Sequence, residues 1–215
     1  MPIVAKKNTE VGILGIWKLS ESSTELMSKF NFSEKENEEF RRNKAEKRKT
    51  EYLATRLLLQ DLLNEKTEIQ YYKTGKPFLE NTNKNLSISH SSDFVVVLLS
   101  ENKIGVDVEN TERNMDKIAL RFLHEKEFKH IQNLEYPKTA TVLYWSAKEA
   151  IFKCTNEQNI LFNEQITILP FEIKKEGHFF GTFTFNSSII NYKLWYFFYE
   201  KNVTVYCIEK ENKKS

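Results

Sequence analysis

Long apolar runs are missing from the chain. No stretch approaches the roughly 20 consecutive apolar residues that a membrane-spanning helix needs. The opening MPIVAKKNTE has neither an apolar signal region nor a cleavage site. Cysteine is scarce: Cys154 and Cys207 are too few for a disulfide framework. One falls in a helix-patterned segment and one in a strand-patterned segment, where reduced core thiols are expected. Net charge is nearly absent, since 32 Lys and Arg against 30 Asp and Glu leave +2 and so no bulk attraction for a polyanion. No low-complexity linker interrupts the chain. These absences predict a soluble, reduced, cytoplasmic protein without a membrane partner, a monomer by default.

Aromatic residues, by contrast, are plentiful, with 16 Phe, 9 Tyr and 3 Trp in 215 residues. That composition suits a packed core in one large domain or two smaller halves. VGILGIWKL (11–19) reads as a strand ended by a Ser-rich turn. From Ser33 to about Asn64 the pattern is helical, opening on the cap-like SEKE and carrying leucines at helical spacing. EIQYY, FLE, LSISH, FVVVLL and KIGVDVE then read as short strands, and SENK predicts a hairpin of the last two. Helices are expected around 114–133 and 138–154, and strands near 166–173, 179–186, 190–199 and 203–208, the last two joined as a hairpin. The order helix-then-strands occurs twice. It predicts an α+β fold of two similar α/β lobes, 1–109 and 110–215, with a cleft near residue 110.

Within KIGVDVEN (103–110), Asp107 and Glu109 stand two residues apart on a strand and project from one face, with Val106 and Val108 turned the other way into a core. Two such carboxylates repel, and water, a cation or a raised pKa must relieve them. In LYWSAKEAIFK (143–153) a wide apolar helical arc contains Lys148, and Glu149 sits at its edge beside Trp145 with Lys153 one turn on. The ordinary account makes Lys148 a snorkelling lysine and Glu149–Lys153 a surface pair. Taken with Asp107 and Glu109, however, Glu149 completes an oxygen donor set suited to Mg²⁺ rather than zinc.

LSISHSSDF (86–94) gathers Ser87, Ser89 and His90 at a strand end, either as a phosphate-binding turn or as a solvated one. It lacks the G-x-S-x-G elbow of a hydrolase. KTGKPFL (73–79) adds Lys73 and Lys76 around a Gly-Pro turn. RRNKAEKRKTEYLATR (41–56) is a basic helix, read either as a solvated face or as an anion site. It has no interleaved aromatics to stack bases, so nucleic acid is the weaker partner.

In order along the chain, GKPFL, SISHS, GVDVE and WSAKEAIFK resemble the motifs of the 4′-phosphopantetheinyl transferases, and the length resembles their surfactin-type branch. RFLHEKEF (121–128) resembles the segment between the last two, with Glu127 at its acidic position. One departure is Ser92, where the family carries Gly; a left-handed backbone there would strain it.

The resemblance implies an Mg²⁺-dependent enzyme. It would move the 4′-phosphopantetheine arm of coenzyme A onto a serine of an acyl or peptidyl carrier protein and release adenosine 3′,5′-bisphosphate. It further implies Asp107, Glu109 and Glu149 as metal ligands, and Glu149, Lys153 and Glu127 as the catalytic set. Lys76, Ser89, His90, Lys148, Arg48 and Arg56 would grip the coenzyme. A decayed coenzyme A-binding module and a basic-helix nucleic-acid binder are the competing readings.

Overall fold

The cap-like SEKE does start a helix. Ser33 accepts from the Glu36 N–H, and the Glu36 carboxylate accepts from the Ser33 N–H, closing a reciprocal capping box. The computed structural model describes residues 3–155 and 157–210. They divide into two units, Met1–Glu101 and Asn102–Ser215.

The first unit runs β1 (Ile3–Asn8), β2 (Ile13–Lys18), α1 (Ser23–Met27), α2 (Glu34–Arg42), α3 (Glu46–Leu63), β3 (Ile69–Tyr71), β4 (Pro77–Leu79), β5 (Asn85–His90) and β6 (Phe94–Ser100). Its main sheet is antiparallel, in the order β1-β2-β6-β5, and β3 and β4 form a separate ribbon. The helix expected over 33–64 is two helices. Between Phe40 and Tyr52 no large apolar residue gives the chain a face to bury, and it turns through an extended Asn43. Leu58 and Leu62 of α3 lie so close to Gly15 that a Cβ there would meet them at 2.9 Å, which seats the helix on β2. The core gathers Trp17, Leu26, Phe40, Leu53, Leu58 and Val97.

The second unit runs β7 (Ile104–Asn110), α4 (Ala119–Phe122), α5 (Glu125–Gln132), α6 (Pro137–Cys154), α7 (Phe162–Gln165), β8 (Ile166–Ile168), β9 (Glu176–Phe185), β10 (Ser188–Tyr199) and β11 (Asn202–Lys210). Its five-stranded antiparallel sheet has the order β7-β11-β10-β9-β8. α6 begins with Pro at its first turn, where the missing N–H costs nothing. Its buried residues Leu143, Ala147 and Ile151 join Ile166, Leu194, Val203 and Val205 in one core. Cys154 and Cys207 are buried and free.

Two expectations are corrected. β6 and β7 do not form a hairpin: β6 has β2 and β5 on its two edges, and β7 pairs with β11. The unit boundary therefore falls at Glu101/Asn102 rather than after residue 109, and the acidic strand belongs wholly to the second unit. The hairpin over 190–208 does form, as β10–β11, with Tyr199 opposite Asn202. No helix among the described residues is long and apolar enough to cross a membrane.

Candidate active site

Glycine inside a strand marks a close approach. A Cβ on Gly105 would lie 1.9 Å from the Ala150 carbonyl oxygen, so β7 lies directly against α6. Gly105, Asp107 and Glu109 share one strand face, paired across the ladder with Cys207, Val205 and Val203, which are core residues. The two carboxylates therefore project on the helix-covered face. The reading that put them opposite the core is corrected, although Val106 and Val108 are indeed buried.

From Gly105 to Glu109 the strand climbs about 13 Å, while from Lys153 back to Trp145 the helix descends about 12 Å. Residues 145, 149 and 153 repeat at i, i+4 and i+8 and stay on one helical face. At one end Lys153 Nζ donates to Asp107 Oδ1 at 2.8 Å and to the Val106 carbonyl at 3.1 Å. At the other, Trp145 Nε1 donates to Glu109 Oε1 at 3.2 Å, and Arg113 donates to the same oxygen. Glu149 is half-buried one turn from each.

Burial, reinforced by the negative charges of Asp107 and Glu109 and opposed by Lys153, pushes the Glu149 carboxyl up to about 7. Burial and Asp107 also raise Glu109, with Arg113 opposing. Beside Glu149 opens a cavity of about 410 Å³ with walls of Ile118, Phe122, Trp145, Ile160 and Phe162, and Arg121 on its lining.

No group of three His, Cys, Asp or Glu side chains among the described residues is gathered closely enough to hold a metal ion. Asp107 is turned to Lys153, and Glu109 to Arg113 and Trp145. The chemistry of the donors nevertheless fits a hard divalent cation. Asp107 raises both Glu109 and Glu149, and Lys153 and Arg113 supply the positive charge a cation would otherwise bring.

The other expected residues separate into distinct places. Lys148 is fully buried and donates to Glu127 Oε2 (2.7 Å) and to the carbonyls of Phe162 (2.9 Å) and Ile166 (2.6 Å). Glu127 in turn accepts from the N–H groups of Ile168 (2.7 Å) and His124 (2.8 Å). Burial lowers the Lys148 pKa while Glu127 holds it up. Lys148, expected at the coenzyme, and Glu127, expected in the catalytic set, are engaged with each other and with backbone groups, which ties α5, α6 and β8 together.

Arg56 is likewise buried. It bonds Glu39 at 3.1 Å, lies near Glu36 and stacks 3.3 Å from the Tyr52 ring. Its guanidinium, expected at the coenzyme, is paired within the first unit. Arg48 stays on the surface, paired with Glu51 at 2.9 Å. His90 is exposed, with Nε2 3.1 Å from the Thr55 hydroxyl; Ser89 is buried and Lys76 half-buried. Ser92 is not among the residues with left-handed backbone, so it replaces glycine without strain.

Residues 103–199 match the model of the 4′-phosphopantetheinyl transferase superfamily. The matched stretch is somewhat under half of the chain. A 4′-phosphopantetheinyl transferase, gsp, of Aneurinibacillus migulanus is 30% identical over 107 residues, which cover 48% of this chain and 45% of that protein. The match thus spans somewhat less than half the length of this curated relative. The superfamily stretch contains Gly105, the acidic strand face and the whole of α6, whereas Arg48, Arg56, Lys76, Ser89 and His90 lie before it. Two contributors to the site went unread in the sequence: Arg113, signalled by a basic residue four positions after Glu109, and Gly105, signalled by glycine inside an apolar strand.

Proposed function

We propose that the protein is a 4′-phosphopantetheinyl transferase of the surfactin type. It moves the phosphopantetheine arm of coenzyme A to a serine hydroxyl of an apo acyl or peptidyl carrier protein. The observation that carries this reading is the crossing of β7 and α6, which sets Asp107 and Glu109 against Trp145, Glu149 and Lys153 within the superfamily stretch.

In this reaction the serine oxygen bonds to the phosphorus bearing the pantetheine arm. The bond from that phosphorus to the bridging oxygen breaks, and adenosine 3′,5′-bisphosphate leaves. Glu149 takes the serine proton, directly or through a water that it orients. Asp107, Glu109 and Glu149 would hold Mg²⁺, which when bound neutralises pyrophosphate charge and favours the leaving group. Lys153, already beside Asp107, donates to a pyrophosphate oxygen. Trp145 and Arg113 orient Glu109. Lys76, Ser89 and His90 are proposed contacts for the nucleotide, and Arg48 an outer one.

Incubation with coenzyme A, Mg²⁺ and a panel of apo carriers, read by intact mass, tests the proposal. The expected result is one added arm on at least one carrier, lost in Asp107→Ala and Glu149→Ala with the fold retained. Full turnover by both variants would reject the site.

A further inference from the structure

β7 ends in a turn pinned from three directions. The Asn110 carbonyl accepts from the Arg113 N–H at 3.0 Å, and the Asn110 side chain accepts from the Glu112 N–H at 2.8 Å. The Thr111 N–H donates to the Lys201 carbonyl at 2.8 Å. The turn brings Arg113 back to the strand, where its guanidinium donates to Glu109 Oε1. The same oxygen accepts from Trp145 Nε1 at 3.2 Å. A carboxylate oxygen offers two lone pairs, so both are engaged. The two donors differ in freedom. The Trp145 ring meets Phe122 at 4.9 Å and Phe162 at 5.8 Å and is held by that packing, whereas the Arg113 side chain is 45% exposed.

We propose that Arg113 competes with the divalent cation for Glu109 and so sets how tightly that cation is held, a role that rests on the metal site proposed above. An ion coordinated through Oε1 needs a lone pair, and of the two donors only the guanidinium can leave without repacking the core. An ion on the other oxygen would still stand beside a full positive charge. Arginine cannot relieve this by losing its proton. The Glu109 side chain is only 16% exposed, so solvent and salt screen the conflict poorly. Leaving costs Arg113 little, because a half-exposed guanidinium exchanges the carboxylate for water and keeps the Trp145 ring, 5.8 Å away, as a resting place. By linkage, the ion weakens the Arg113–Glu109 contact by the same factor as the contact weakens the ion.

The experiment is a titration of the full chain with Mn²⁺, a divalent probe read by water-proton relaxation, with neither coenzyme nor carrier present. Arg113→Met and Arg113→Gln should each bind the ion about tenfold tighter than the parent. Arg121→Met removes an equal charge from the lining of the cavity beside Glu149, and it should stay within about twofold of the parent. In a Glu109→Gln background, adding Arg113→Met should bring no gain. Equal affinity of the parent and both Arg113 variants overturns the competition and leaves the metal site standing. An equal gain in Arg121→Met, or a gain that survives Glu109→Gln, overturns it as well. No saturable binding by the parent or any variant rejects the metal site and the competition together.

Discussion

Trp145 and Glu109 are joined by an indole N–H donated at 3.2 Å, and the guanidinium of Arg113 lies 5.8 Å from the same indole ring. One aromatic side chain thus orients the carboxylate and supports the cation that neutralises it. Trp145→Phe keeps a ring for Arg113 but deletes the donor. Arm transfer should fall roughly tenfold or more, in line with losing one hydrogen bond to a charged group, while the unfolding midpoint moves little. Unchanged turnover would show that Glu109 does not depend on this bond.

Gly105→Ala removes no chemical group, yet it should be among the most damaging single changes in β7. The added Cβ would sit 1.9 Å from the Ala150 carbonyl, and neither main chain can yield without moving the other. Destabilisation of about 1–3 kcal/mol is expected from the overpacking, with loss of transfer beyond what the folded fraction explains. Chemical denaturation and the mass assay on the same sample separate the two effects.

Lys148→Met leaves Glu127 charged and buried without its partner, a change that costs about 3–5 kcal/mol when a buried pair is broken from one side. Adding Glu127→Gln should restore part of that loss. A double-mutant cycle by urea unfolding measures the coupling, and additive losses would contradict the pairing.

Glu149 holds its proton more tightly when folded, at about 7 against an ordinary 4.5. Between those values the folded state carries the extra proton, so metal-free protein should lose stability as pH rises through this window and level off above it. The loss should be on the order of 1–3 kcal/mol. Glu149→Gln should flatten that slope and be more stable than the parent at pH 8, as measured by thermal unfolding in chelator. Parallel pH profiles would exclude the shift.

The sequence made the two carriers of the site legible because each has a period. Alternation in KIGVDVEN places Asp107 and Glu109 on one face, and four-residue steps in WSAKEAIFK align Trp145, Glu149 and Lys153. Partner choice was not legible. SENK looks locally like a turn between β6 and β7, but β7 pairs with β11 from the far end of the chain, and only the assembled sheet decides that. The partners of the basic residues were not legible for a related reason. Arg56 and Lys148 are basic residues set among leucines or aromatics, and their counter-ions, Glu39 and Glu127, come from other helices. A linear count of positive residues cannot separate a cation offered to a ligand from one spent inside a core.

The crossing of β7 on α6 also limits how this site can change over generations. Deleting one residue from the strand would swap Asp107 and Glu109 to the opposite side of the sheet, and inserting one in the helix would swing Glu149 about 100° away. Neither error has a partial form, so length changes should be purged from both segments while the loops on either side absorb them.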